Sequence, residues 1–404
     1  MSIPILNLKA QYRSISEEIE ANVLDVMRSG NYVLGKYVKK LEEEVAALCD
    51  AKYGIGVANG TDALYLALWA LGIDEGDEVI TTPFTFAATA EAIAYRKAIP
   101  VFVDVDPETF NIDVNKIEAA ITPKTKAILP VHLYGLPADM EPIMEIARKH
   151  NLKVVEDGAQ SLGSFYRGRA TGSFGDCATV SFYPTKNLGA MGDAGMVVTS
   201  DEEIATRLKA LRAHGSLRRY YHDELGINSR LDEIQAAALV AKLPHLSNWN
   251  KRRNEIADLY NELLQNCPQI VTPKRSEVAS FGKGIIYTHV WHQYTIRVIS
   301  DNYSNKLSNG ARQNLLNTLK ESKIGSMCYY PVPLHMQKPF AQHYKYGDFP
   351  EAEKAASEVL SLPMYPELSD KQVETVAQAV NDAMAKSTIS VPVQAPITNA
   401  FPTV

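Results

Sequence analysis

Cysteine is scarce and scattered. The four residues Cys49, Cys177, Cys267 and Cys328 form no C-x-x-C pair, which excludes a zinc ribbon and a disulfide framework. The nine histidines form no H-E-x-x-H or similar ligand set, so no metal is expected. No apolar run approaches the roughly 20 residues that cross a bilayer, and Ile3-Pro4-Ile5-Leu6 is too short to be a signal peptide. Basic surplus is missing too: 41 Lys and Arg stand against 47 Asp and Glu, a net charge of −6. That excludes a general attraction to nucleic acid. Basic groups such as Arg218-Arg219 and Lys251-Arg252-Arg253 read as solvated helix faces. These absences predict a cytoplasmic protein that binds neither membrane nor nucleic acid.

Two glycine motifs are incomplete. Gly163-Ser-Phe-Tyr-Arg-Gly168-Arg169 has P-loop spacing without the Lys and the Ser or Thr that such a loop needs. Gly189-Ala-Met-Gly192-Asp-Ala-Gly195 departs from the dinucleotide fingerprint. No internal repeat is present.

What remains is a chain of 404 residues, 46% hydrophobic and 22% charged, long enough for a large core and a second domain. Tyr12 to Cys49 reads as two helices broken at Ser29-Gly30-Asn31. Short apolar runs then alternate with amphipathic helices: 55–58, 78–81, 101–104, 127–131, 154–157, 178–182 and 196–199 read as strands. This rhythm predicts an α/β fold with a parallel sheet covered on both faces. A long helix is expected from Ser229 to Gln265, bent near Pro244. Beyond it come a strand at 293–298 and helices near 311–322, 351–360 and 369–385. The expected division is 1–250 for the large domain, 251–386 for a smaller α/β domain, and 387–404 for a loose tail that is uncharged from residue 387 onward.

Three segments carry chemistry. Asn59-Gly60-Thr61-Asp62 lies between a strand and a helix, where glycine lets the backbone approach an anion and the helix N-terminus favours it; Asp62 itself reads as a cap or first-turn acid. Glu156-Asp157 ends an apolar strand, so the two carboxylates point to opposite faces and only one can enter a site. Asp157 is open to two readings, a turn residue or a partner for a cationic ring. Lys186 follows the strand Ala178–Phe182. A lysine is ordinarily a surface residue, but here it has small residues after it. Together these match the needs of pyridoxal phosphate: a lysine to hold it, a carboxylate for its ring nitrogen, and backbone donors for its phosphate.

The ordered blocks Asn59-Gly-Thr-Asp-Ala-Leu64, Thr82-Pro-Phe-Thr-Phe-Ala-Ala-Thr89, Glu156-Asp-Gly-Ala-Gln-Ser161, Ser181-Phe-Tyr-Pro-Thr-Lys-Asn-Leu188, Gly192-Asp-Ala-Gly195 and Asn228-Ser-Arg-Leu-Asp-Glu-Ile-Gln-Ala-Ala237 resemble the DegT/DnrJ/EryC1/StrS sugar aminotransferases. The likeness spans roughly residues 3–385. It implies the aspartate aminotransferase-like fold (type I of the pyridoxal-phosphate-dependent transferases), with a mixed, mostly parallel large sheet. It also implies a homodimer whose active sites are shared between subunits.

By the same resemblance Lys186 holds the cofactor covalently and shuttles a proton, Asp157 pairs with the pyridinium nitrogen, and Gln160 bonds the ring's 3-hydroxyl. Phe86 stacks on the ring, or is a core Phe. Gly60, Thr61 and Ser181 bind the phosphate, and Asn228, at the start of the long helix, reaches the phosphate of the neighbouring subunit. Arg230 touches the partner's substrate or forms a structural ion pair. Tyr330 and His335, in Tyr329-Tyr-Pro-Val-Pro-Leu-His335, contact substrate or are packed. His214 orients the site or merely ends a helix at Gly215.

The implied reaction takes an amino group from glutamate, or less often glutamine, through pyridoxamine phosphate as the intermediate form, to a keto sugar on a nucleoside diphosphate. Asn228-Ser229-Arg230 favours a 3-keto over a 4-keto sugar by analogy. Related dehydratases that use pyridoxamine phosphate carry His where Lys186 stands. A regulatory relative without catalysis is the other alternative, and no helix-turn-helix supports it.

Overall fold

A computed structural model describes residues 2–218, 220–275, 277–281, 284–300, 303–305 and 308–387. Arg219 and the expected tail from 388 onward lie outside the described residues. The centre is a seven-stranded sheet of β1 (Tyr53–Val57), β2 (Glu78–Thr81), β3 (Ile99–Phe102), β4 (Thr125–Ile128), β5 (Lys153–Asp157), β6 (Cys177–Ser181) and β7 (Gly195–Thr199). Their spatial order is β1-β7-β6-β5-β4-β2-β3. β7 runs antiparallel to both neighbours, and every other pair is parallel. The sheet is therefore mixed and mostly parallel, and the chain has the α/β fold expected of it.

Alternation along each strand sends neighbouring side chains into different cores. Val79, Ala127, Val155 and Val197 pack on one face. Their neighbours Ile80, Ile128 and Val154 pack on the other face with Ile143 and Ala147 of a covering helix, and Met196 and Val198 join a third cluster. Near-continuous apolar strands result because both faces are covered.

The N-terminal segment makes three helices rather than two: α1 (Leu8–Ser14), α2 (Ser16–Ser29) and α3 (Lys36–Leu48). The expected break occurs at Gly30, which adopts a left-handed conformation (φ 67°), and a further break falls at Ile15. α4 (Gly60–Ala70) and α5 (Ala87–Tyr95) follow β1 and β2, and α6 (Met140–His150) precedes β5. After α7 (Glu202–Leu211) the expected long helix begins late. Residues 228–232 are not helical, and α8 (Glu233–Lys242) starts only where Glu233 accepts the N–H groups of Gly35 (2.8 Å), Tyr37 (2.6 Å) and Val38 (3.2 Å). Pro244 then bends the chain through a 3-10 turn into α9 (Leu246–Leu264), as its missing N–H requires.

α9 crosses the expected division at residue 250. Its start packs with the large sheet through Leu246 and Trp249, and its later residues Ile256, Ala257 and Tyr260 pack with a smaller sheet. That sheet orders β8 (Ile270–Val271), β9 (Tyr294–Val298) and β10 (Val359–Leu362), all antiparallel. β10 occupies residues that read as the end of a helix; α11 stops at Glu358 (Pro350–Glu358), and the β-branched Val359 opens a buried strand. α10 (Gly310–Glu321) and α12 (Asp370–Ser387) cover this part. Ile3 pairs with Ile324, which ties the N-terminal residues to the small sheet's side of the molecule. Among the described residues no helix is long and apolar enough to cross a membrane, and all four cysteines are free.

Candidate active site

The C-terminal ends of β2, β5 and β6 open on a cavity of about 910 Å³, lined among others by Gly60, Thr61, Phe86, Asp157, Gln160, Ser181, Lys186 and Tyr330. Strand ends are where open α/β sheets bind ligands. Each wall of the cavity follows from a local feature of the chain.

α4 begins at the cavity. Asn59 caps it by accepting the N–H of Asp62 at 2.8 Å, which leaves the N–H groups of Gly60 and Thr61 without partners among the described residues. A side chain at Gly60 would put Cβ 2.8 Å from Cβ and 3.0 Å from Oγ of Ser181. Glycine is therefore required there, and it brings two free donors and a hydroxyl to one spot at a helix N-terminus. That is a cradle for an anion such as a phosphate. The Asp62 carboxylate accepts the hydroxyl of Ser229 at 2.6 Å, while Ser229 accepts the N–H of Ala58 at 3.1 Å. Asp62 thus secures the loop from the first turn of the helix.

The two acids at the end of β5 separate as alternation demands. Glu156 is wholly buried behind the sheet. It accepts from His132 (3.0 Å) and from the N–H groups of Gly172 (2.9 Å), Phe174 (2.8 Å) and Gly175 (2.9 Å). Burial opposes its charge, yet His132 and the backbone donors outweigh burial and hold its carboxyl below the usual range. Asp157 lines the cavity and accepts Thr89 Oγ1–H at 2.8 Å. Gln160 is held by Tyr134, whose N–H donates to its Oε1 at 2.6 Å, and its Nε2 donates to Tyr330 Oη at 3.3 Å.

Lys186 extends from the loop after β6. Protein surrounds its amine, and burial lowers its pKa to about 8; the Asp157 carboxylate acts in the opposite direction. Near neutrality such an amine has an appreciable neutral fraction and can act as a nucleophile or base. Phe86 precedes α5 and is 58% exposed, which removes the reading of a core Phe. Its ring centre lies 6.2 Å from that of Tyr330.

Not every expected residue comes to the cavity. His335 is completely buried, bonds Glu353 at 3.0 Å and is absent from the lining, so it packs rather than contacts a ligand here. His214 is exposed at the turn after α7 and away from the cavity. Asn228 and Arg230 are also away from it: Asn228 is exposed in an isolated bridge to Ala213, not on a helix, and Arg230 forms no ion pair with any described residue.

Other lining residues had no role in the sequence reading: Thr89, His292, Ile5 and Leu6. Thr89 was findable, because it closes the same block, Thr82 to Thr89, that carries Phe86. The others reach the cavity through long-range packing that no local pattern announces.

The residues fit pyridoxal phosphate. The glycine cradle suits its phosphate, a carboxylate and a desolvated lysine face one cavity, and an exposed aromatic stands at the mouth. The model of the DegT/DnrJ/EryC1/StrS aminotransferase family matches residues 13–381. A pleiotropic regulatory protein of Geobacillus stearothermophilus is 51% identical over 94% of this chain and 98% of its own length. A UDP-N-acetyl-3-dehydro-alpha-D-glucosamine 3-aminotransferase of Acidithiobacillus ferrooxidans is 47% identical over 94% of this chain and 97% of its own. The crystal structure of S. venezuelae DesV in complex with a ketimine intermediate superposes with a TM-score of 0.88 at 41% identity, covering 95% of this chain and 98% of that one. The chain belongs to the DegT/DnrJ/EryC1/StrS aminotransferase family, whose members work with pyridoxal phosphate.

Proposed function

We propose that this enzyme transfers the amino group of glutamate to a 3-keto sugar carried on a nucleoside diphosphate, in a cytoplasmic homodimer with shared active sites. The observation that carries the transaminase reading is the desolvated Lys186 beside Asp157 in one cavity. Pyridoxal phosphate supplies an electron sink next to the carbon that gains or loses a proton. In this reading the N–H groups of Gly60 and Thr61 and the hydroxyl of Ser181 bind its phosphate. Asp157 faces its ring nitrogen, Gln160 its 3-hydroxyl and Phe86 one ring face. Lys186 anchors it and then moves the proton at the reacting carbon.

Support for the 3-keto position comes from the Acidithiobacillus relative, which is named for a 3-amino transfer, and from the form Asn228-Ser229-Arg230. Support for the shared site comes from placement. Asn228 and Arg230 are free of this chain's cavity, and Leu217, Tyr221 and Leu225 are exposed on the preceding segment at 59%, 57% and 83%. Apolar exposure of this kind marks an association surface. Arg230 then meets the partner's substrate, and Tyr330 contacts the sugar in its own subunit. A purely regulatory role, suggested by the name of the Geobacillus relative, would not call for a desolvated lysine and a carboxylate in one cavity.

Two experiments test this. Amine transfer from glutamate to a panel of 3- and 4-keto nucleotide sugars is expected to favour the 3-keto members; a preference for 4-keto sugars overturns that assignment. Mixing inactive Lys186→Ala with inactive Asn228→Ala subunits is expected to restore roughly a quarter of the activity, because half the dimers are mixed and one of their two sites is intact. No recovery after verified subunit exchange overturns the shared site.

A further inference from the structure

Behind Lys186 lies a buried amide chain whose hydrogen-bond directions are set by backbone carbonyls. Asn250 Nδ2 donates to Leu162 O at 3.2 Å, so its Oδ1 is the acceptor for Asn187 Nδ2 at 2.9 Å. Asn187 Nδ2 also donates to Val290 O at 2.8 Å. A carbonyl cannot donate, so the amide of Asn187 cannot be flipped. Its Oδ1 therefore faces His292 Nδ1 at 3.3 Å, and that nitrogen must carry the hydrogen. Asn187 is the residue after Lys186, and His292 lines the same cavity as Lys186.

The consequence falls on the other ring nitrogen. In a neutral imidazole with hydrogen on Nδ1, Nε2 is a bare acceptor. Nε2 has no partner among the described residues, yet it is not among the sealed, unsatisfied atoms of the interior. His292 lines the cavity together with Lys186. Arg253 backs the segment by donating to the carbonyls of Trp291 at 2.9 Å and Met364 at 3.1 Å. Burial first, and then the charges of Lys186 and Arg253, keep His292 far below its usual pKa.

We propose that His292 is a positioning residue for Lys186: the Asn187–Asn250 chain locks its neutral ring in the Nδ1–H form and presents Nε2 as an acceptor to the lysine's ammonium. An acceptor at that place favours the protonated lysine against the desolvation that disfavours it, so it sets the proton affinity of the residue that must both take and return a proton. The inference rests on Lys186 being the cofactor lysine, but the state of the His292 ring is measurable independently of that assignment.

The test joins a direct reading with two substitutions. Nitrogen-15 NMR of the full-length wild-type protein without cofactor is expected to show His292 at pH 7 with a protonated Nδ1 and a bare Nε2. An imidazolium or an Nε2–H ring overturns the proposal. Asn at 292 keeps a donor near the Nδ1 position and loses Nε2, while Gln keeps an acceptor near the Nε2 position. The readout is the pH dependence of pyridoxal phosphate capture by the cofactor-free protein, with thermal unfolding as the check on folding. His292→Asn is expected to move the midpoint down by roughly one pH unit, and His292→Gln to stay near wild type. Equal shifts in both variants, or none in His292→Asn, mean that the ring only packs against Asn187 and overturn the proposal. If both variants unfold, the NMR reading decides alone. A shift with no capture at Lys186→Ala supports both readings. Capture that persists in Lys186→Ala refutes the lysine assignment, while leaving the ring measurement standing.

Discussion

Asp157 accepts a hydrogen bond from Thr89 at 2.8 Å, and Thr89 in turn lies 3.1 Å from the hydroxyl of Thr85. Because Thr89 spends its one hydrogen on the carboxylate, Thr85 must donate to Thr89. The cavity's acid is thus oriented by α5, immediately behind Phe86. A charge-assisted bond of this kind contributes about 1.5–3 kcal/mol. Thr89→Val keeps the shape and removes the donor. It is expected to lower kcat about tenfold or more, while Thr85→Val, one step removed, costs less. Steady-state kinetics at saturating cofactor check the order; equal effects would show that the relay does not orient the acid.

Gly60→Ala tests the anion cradle. Its Cβ would sit 2.8 Å from Ser181 Cβ, with the backbone of a capped helix start behind it. Overpacking of this kind costs about 1–3 kcal/mol, and the side chain intrudes where the phosphate must approach. Cofactor affinity is expected to fall roughly 10- to 100-fold, read by titrating the cofactor-free protein with pyridoxal phosphate. Unchanged affinity would move the phosphate site elsewhere.

Lys186 gives a prediction with a sign. Its folded pKa of about 8 lies below the unfolded value near 10.5, so between these two the unfolded chain holds more protons and stability rises with pH. Below about pH 8 the cofactor-free protein carries the full cost of a desolvated ammonium. Lys186→Met is therefore expected to be more stable than wild type at pH 7, by roughly 2–4 kcal/mol, with the advantage shrinking between about pH 8 and 10.5. Urea unfolding across that range measures it. The same variant is expected to lose the borohydride-fixed covalent label that pyridoxal phosphate leaves on Lys186.

The fold was legible where side chains alternate and the period is local. Apolar runs such as Val154–Val155 and Met196–Val198 announced strands, Gly30 and Pro244 announced breaks, and the opposite facing of Glu156 and Asp157 followed from the pleat. What was not legible depends on distant partners. Val359–Leu362 became a strand because Tyr294–Val298 was there to pair with it. Glu233, not Ser229, starts α8 because it reaches the start of α3 nearly two hundred residues away in sequence. The site divides in the same way: Gly60, Asp157 and Lys186 sit in short motifs, whereas His292 acquires its place from Asn187 and Asn250. His335 lies in an equally suggestive motif, yet Glu353 holds it in the interior.

Glu156 supplies the control that separates stability from chemistry. Four donors converge on its carboxylate: Gly172, Phe174, Gly175 and His132. The N–H of Ala138 donates to His132 Nδ1 at 3.0 Å, so Nδ1 is the acceptor and Nε2–H is the donor to the acid. An amide cannot accept from all four, and Glu156→Gln would turn an NH2 group toward two of these donors. The expected loss is about 3–5 kcal/mol in chemical unfolding. Because the folded carboxyl is held below its usual pKa, its contribution is present above about pH 4.5 and is lost as pH falls through the folded value. The difference between wild type and Glu156→Gln should therefore narrow only in acid. Asp157→Asn, one residue on and facing the cavity, still offers Thr89 an acceptor, so it is expected to cost less in unfolding than Glu156→Gln and to abolish transamination. If Glu156→Gln instead kept its stability and lost activity selectively, the assignment of the two acids to opposite sides of the sheet would fail.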